Sequence, residues 1–143
     1  MKKVLLVAAA CLLASCATYQ DMAPSWLPGS GSVSVKLSGA EEVPPTNVQG
    51  SGSGTIQVKS DGAVSGSVTT TGVQGTMAHI HQGAKGQNGP VIIPLTKSGD
   101  TYTVPAGAKL NDAQLKAFKD GGLYVNVHTA ANKGGEVRGQ LNP

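Results

Sequence analysis

The sequence predicts an all-β domain over residues 32–143, an antiparallel Greek-key-like β-sandwich or barrel with one short helix. Three observations lead there. From Ser32 onward apolar residues recur with a period of two, the spacing that sends alternate side chains to opposite faces of a strand. The runs are short, about eight in number, and bounded by glycine-bearing turns of the kind hairpins and Greek keys use. Only the stretch after Leu110 has helical spacing.

The chain opens on an address. Lys2 and Lys3 precede an apolar run, Val4 to Leu13, of signal-peptide length and too short to anchor in a bilayer. Leu13-Ala14-Ser15-Cys16 resembles the lipobox of bacterial lipoproteins, in which the cysteine is acylated, with a palmitate-type chain, and becomes the first residue of the mature protein. The alternative is an ordinary secretory signal with a chance cysteine. The expected division is a signal peptide over 1–15, a lipidated flexible tether over 16–31 and the β-domain after it. Pro24, Pro28, Gly29 and Gly31 support the tether, whereas Trp26 favours an ordered N-terminal strand. Ala17 is not the aspartate associated with inner-membrane retention in enterobacterial lipoproteins. That residue favours the outer membrane, facing the periplasm, in a host that has one.

Processing changes the composition that matters. Of eleven Lys+Arg two leave with the signal, so nine basic residues face eight acidic ones and the net charge falls from +3 to +1. No basic stripe or aromatic platform remains for nucleic acid. Cys11 is discarded and Cys16 acylated, which leaves neither disulfides nor thiolate ligands. A metal would have to use His, carboxylate, Met or backbone oxygen.

The strand-like runs follow in order. Val33, Val35 and Leu37 share one face of SVSVKLS, and Ile56 and Val58 share one face of the next run, which closes on Asp61-Gly62. Val64 and Val68 lie in AVSGSVTTTG, and PVIIPL is continuous and β-branched. DTYTVP follows the Ser98-Gly99 turn, and LYVNVHT and GEVRGQL finish the domain. Asn111 to Gln114 reads as a capping box, with Leu110 and Leu115 as a staple, Phe118 inward and Gly121-Gly122 as the stop. Such a helix, about ten residues long, plugs an end of the domain. With one Phe, three Tyr and one Trp, the core is built from Val, Ile, Leu and Ala, and little room is left for a large ligand cavity.

The stretch Gly75 to Pro90 is the chemical centre of this plan. His79 and His81 stand at i and i+2 of a strand and so share a face with Met77, while Ala78 and Ile80 point to the core. The third and last histidine, His128, lies in LYVNVHT opposite Leu123, Val125 and Val127. Neutral imidazole is the commonest transition-metal ligand, and three from two neighbouring strands make a facial site suited to copper or zinc. Met77 is a candidate soft ligand; Asn126 and Glu136 are candidates for orienting an imidazole N–H. The alternative is that the three histidines face solvent or tie down a loop.

Other motifs have structural expectations. Glu42, beside the stiff Val43-Pro44-Pro45, makes an ion pair or caps backbone amides, with Arg138 a candidate partner. Glu136 and Arg138 share a face, where a cross-strand salt bridge is the default. Gly86 to Pro90 is a turn in which Asn88-Gly89 takes positive φ and walls the histidine site.

Three stretches in order, LSGAEEVPP at Leu37 to Pro45, HIHQGAKGQNGPV at His79 to Val91 and YVNVHTAANKGGEVRGQL at Tyr124 to Leu141, resemble the chordin-type CHRD domain family. The resemblance spans roughly Ser32 to Leu141, nearly all of the mature chain. Lys133 stands where the family often has proline. What the resemblance implies is an extracytoplasmic β-domain; the growth-factor antagonism of animal chordin has no evident bacterial counterpart. The His-x-His strand also resembles the copper ligands of copper/zinc superoxide dismutases, without their additional histidines, zinc-site aspartate or disulfide. Three classes of function follow: a lipid-anchored extracytoplasmic domain binding copper or zinc, a structural or protein-interaction module of the cell envelope, and a metal-dependent redox enzyme.

Overall fold

The computed structural model describes residues 31–143. The expected signal peptide, Cys16 and the tether up to residue 30 lie outside the described residues. Gly31, the last residue assigned to the tether, is already the first of β1 (Gly31–Ser38).

In β1 the alternation is followed residue by residue, with Val33, Val35 and Leu37 buried and Ser32, Ser34 and Lys36 exposed. It pairs antiparallel along its whole length with β2 (Ser51–Val58), which pairs in turn with β3 (Val64–Thr71). The Asp61-Gly62 turn joins the latter pair: Asp61 Oδ1 accepts from the Ala63 N–H at 3.0 Å, and Gly62 takes a φ of 86° that a side chain would oppose. Then come β4 (Gly75–Gln82), β5 (Val91–Pro94), β6 (Thr96–Ser98), β7 (Thr101–Thr103), α1 (Asp112–Lys119), β8 (Leu123–Thr129) and β9 (Val137–Leu141).

All nine strands form one antiparallel sheet in the order β5-β4-β8-β9-β1-β2-β3-β7-β6. The two edge strands are consecutive in sequence, separated by Leu95 alone. The Leu95 N–H donates to Ala78 O of β4 at 2.9 Å, so the sheet returns on itself as a nearly closed barrel. Closure spares the domain a long open edge. The interior holds aliphatics from every long strand, among them Val35, Ile56, Val68, Ile80 and Val125, joined by Tyr102. Each such side chain contributes about 1.5–3 kcal/mol by leaving water.

The capping box forms in both directions: Asn111 Oδ1 accepts from Gln114 N at 2.8 Å and Gln114 Oε1 accepts from Asn111 N at 2.9 Å. The helix is eight residues, shorter than expected, and Phe118 drops from it into the core beside Gly31. Asn111→Ala is expected to cost about 1 kcal/mol in urea unfolding. A cost indistinguishable from zero would mean that Phe118 packing alone holds the helix.

The barrel departs from a simple inside/outside pattern at β8. Leu123, Val125 and Val127 face the interior, yet Tyr124, Asn126 and His128 on the outer face are buried as well. Three loops lie over them. Arg138 Nη2 donates to Ala84 O at 3.1 Å and Gln140 Nε2 to Gly83 O at 2.9 Å, pinning the loop after β4. Asn88 Nδ2 donates to Val43 O at 2.7 Å, and Thr46 Oγ1 to Glu136 O at 2.7 Å, pinning the segment after the 3-10 turn Gly39–Glu41. The turn between β8 and β9 completes the cover. A second, polar interior thus lies outside the barrel wall.

That layer corrects several expectations. Glu136 and Arg138 share no salt bridge: Glu136 Oε2 accepts from Thr129 Oγ1 and from Asn132 Nδ2, whereas Arg138 reaches toward the loop after β4. Glu42 is in no ion pair either; its Oε2 accepts from Asn126 Nδ2 at 3.2 Å. In the turn before Pro90, positive φ falls on Gly86 (77°), while Asn88 and Gly89 avoid it. Gly89 serves close approach instead, because a Cβ there would overlap Gln82 O.

Candidate metal centre

Strands β4 and β8 are direct neighbours in the barrel, which is why two stretches far apart in sequence meet. Met77 pairs with His128, His79 with Asn126 and His81 with Tyr124. His79, His81 and His128 each bring one ring nitrogen to a common point, all within 4.8 Å of one another. His81 and His128 are buried and His79 is half-buried.

The hydrogen bonds fix which nitrogens are bare. His81 Nδ1 faces Gly89 O at 2.9 Å and His128 Nδ1 faces Lys133 O at 2.9 Å. A carbonyl only accepts, so both Nδ1 atoms carry protons and both Nε2 atoms of the neutral rings present lone pairs. His128 Nε2 accepts from His79 Nδ1 at 3.0 Å. His81 Nε2 is buried with no partner. An imidazole lone pair hidden from water and unpaired is costly in an apo protein, and a metal ion is one group that satisfies it.

Electrostatics favours the neutral form of His79 and His81. Burial holds His79 below the ordinary imidazole range, and His128 and His81 add to the effect. Burial likewise lowers His81, against the Gly89 carbonyl, with His128 and Arg138 lowering it further. Neutral rings are the form that binds metal. Nitrogens at about 2 Å from a tetrahedral ion sit about 3.3 Å apart, so the 3.0 Å pair nearly fits and the widest gap, up to 4.8 Å, closes by about 1.5 Å of side-chain movement. The half-buried His79 is the ring free to move. Turning its Nδ1 to a metal requires only that its proton shift to Nε2.

Of the other residues singled out from sequence, Met77 is 51% exposed on the same face as the histidines. Asn126 and Glu136 do not orient an imidazole: their hydrogen bonds go to Glu42 and to Thr129 and Asn132. Backbone carbonyls of Gly89 and Lys133 hold that role. Sequence reasoning also missed Tyr124. Its ring stacks on His81, 4.8 Å between centroids and 9° from parallel, and Arg138 Cζ lies 3.5 Å from its centroid. Because β4 and β9 flank β8 on opposite sides, the phenol ring is sandwiched between imidazole and guanidinium. The Tyr124 hydroxyl accepts from Gly89 N at 3.1 Å, fixing the peptide whose carbonyl holds His81.

Fold and site together define an all-β barrel module with a loop-covered polar face and a three-histidine cluster on strands β4 and β8. The chain belongs to the CHRD domain family, whose model matches residues 33–141. No curated protein and no solved structure matches the sequence. The three stretches that carry the resemblance meet in the polar layer: Glu42 from the first, His79, His81 and Asn88 from the second, and Asn126, His128, Glu136 and Arg138 from the third.

Proposed function

We propose that this chain is a lipid-anchored, extracytoplasmic binding domain that holds a copper or zinc ion through His79, His81 and His128. The observation that carries the reading is the buried, unpartnered Nε2 of His81, facing a cluster whose other lone pair, on His128 Nε2, is occupied only by a neighbouring imidazole. Met77 is the proposed additional ligand. Asn126 and Glu136 support the site from the layer around it.

The test is a titration of the purified protein, made without a His tag, with zinc and with copper at pH 7.5. One ion per chain is expected. The His79→Ala/His81→Ala/His128→Ala variant is expected to lose at least about 100-fold in affinity, about 2.7 kcal/mol, with its circular dichroism retained. Failure of the wild-type protein to bind either metal would sink the reading.

The membrane partner is proposed from Leu13-Ala14-Ser15-Cys16, with the outer membrane facing the periplasm as the destination in a host that has one. Cys16→Ser is expected to abolish incorporation of labelled palmitate and release the protein from the membrane fraction. Labelling that persists in the variant would remove the anchor from the proposal. A second reading, an envelope protein-interaction module without metal, is favoured by one observation. Met77 and Val91, exposed at 51% and 48%, pair in register with His128 and His81 and so flank the cluster with apolar surface. Tight metal binding that depends on all three histidines decides between the two.

A further inference from the structure

Around the histidine cluster, anionic charge is scarce and cationic charge is built in. Among the described residues the cluster has no carboxylate member. Glu136 is engaged by Thr129 and Asn132, and Glu42 is bonded to Asn126, with Arg138 acting on it only at longer range than a salt bridge. Arg138, by contrast, is 1% exposed, and its guanidinium is within salt-bridge distance of no carboxylate among the described residues. Its hydrogen bonds go to neutral oxygens of Ala84, Asn88 and Gln140. Through the Tyr124 ring it faces the back of His81.

A buried cation with neutral partners imposes its field on whatever the histidines hold. A divalent ion on three neutral imidazoles keeps its full double charge and meets that field with twice the energy of a monovalent one. Imidazole serves zinc and copper alike, so the donors alone do not choose; the surrounding charge does. The exposed thioether of Met77 on the same face adds a soft donor of the kind copper(I) prefers.

We propose that the three-histidine cluster, with Arg138 stacked behind it through Tyr124, selects monovalent copper(I) over zinc and copper(II). The inference rests on the metal-binding reading above and adds the charge state of the ion. Arg138 acts here as a positioning and selectivity residue and touches no metal.

The experiment measures two affinities on the purified protein: copper(I), anaerobically, by competition with bathocuproine disulfonate, and zinc, by competition with a fluorescent zinc chelator. The expected result is copper(I) bound at least about 100-fold more tightly than zinc, with both lost in the triple histidine variant. Arg138→Gln is expected to lower the copper(I)/zinc ratio by about tenfold, and Arg138→Lys, which keeps the charge but loses the planar stack on Tyr124, to lower it less than about twofold. Should Arg138→Gln fail to fold, the wild-type ratio and the lysine variant still decide. Zinc bound as tightly as copper(I), through the same three histidines, overturns the selectivity and leaves the metal site standing. No binding of either ion overturns both proposals. An Arg138→Gln ratio equal to wild type overturns the role of the guanidinium.

Discussion

Tyr124→Ala is expected to lower stability by about 3–5 kcal/mol, while Tyr124→Phe costs about 1–2 kcal/mol. Tyr124 is fully buried on the outer wall of β8, and the alanine variant removes a ring packed on both faces. The cavity it leaves cannot collapse easily, because His81 is tethered to Gly89 O and Arg138 to Ala84 O. It also strips a desolvated guanidinium of the electron-rich face it lies on. The phenylalanine variant keeps both stacks and deletes one acceptor, leaving the Gly89 N–H without its partner. Since Gly89 O holds the His81 Nδ1 proton, the smaller defect is expected to reach the proposed metal site as a few-fold loss of affinity. Urea unfolding of the two variants checks the ordering. Equal costs for alanine and phenylalanine would place the contribution of Tyr124 in its hydroxyl and dismiss the sandwich.

Where the chain's own alternation decides the outcome, the structure is legible from sequence. Val33, Val35 and Leu37, the Asp61-Gly62 turn and the Asn111–Gln114 box each need only neighbours within a few residues, and each forms as read. The alignment of His79 with His81 and the direction of Ala78 and Ile80 belong to the same class. The sequence left sandwich and barrel both open, because closure hangs on Leu95 bonding Ala78 across a gap that no local pattern marks. The polar layer was missed for a related reason. Alternation reports which face is apolar and says nothing of whether a distant loop covers the other. A signal was nevertheless present: the outward positions of β8 carry Tyr, Asn and His, whereas the solvent-facing positions of β1 carry Ser, Ser and Lys. Large, hydrogen-bonding, uncharged side chains on an outer face mark a surface that something else will cover. Glu42, Glu136 and Arg138 looked like ion-pair partners because charge sign is visible in sequence and burial is not. Once desolvated, each found neutral donors or acceptors, from β8, its turn and the loop after β4, at shorter range than an opposite charge.

Glu42→Gln is expected to stabilise the protein at pH 8 by up to about 3 kcal/mol and to leave it almost unchanged at pH 4.5. Burial is the main cause that raises the Glu42 carboxyl from 4.5 to about 7, against the opposing influence of Arg138, the Asn126 amide and the Val43 backbone. A group whose pKa is raised on folding binds its proton more tightly in the folded state. Its contribution is therefore complete below pH 4.5 and is lost as pH rises through about 7. The geometry explains the preference for the proton. Glu42 Oε1 and Asn126 Oδ1 are both buried acceptors without partners, and both border Gly135. A hydroxyl on Glu42 supplies the donor that this pair lacks, and a glutamine amide supplies it at every pH. His79 and His81, lowered on folding, give the opposite trend: they favour the fold as pH rises toward 6.5. That trend is common to both proteins and cancels in their difference. Unfolding free energies of the two proteins between pH 4.5 and 8.5 thus isolate one carboxyl. A difference that does not grow with pH would mean that Glu42 is ionised in the fold, and the buried acid would have to be replaced by a carboxylate held by Arg138.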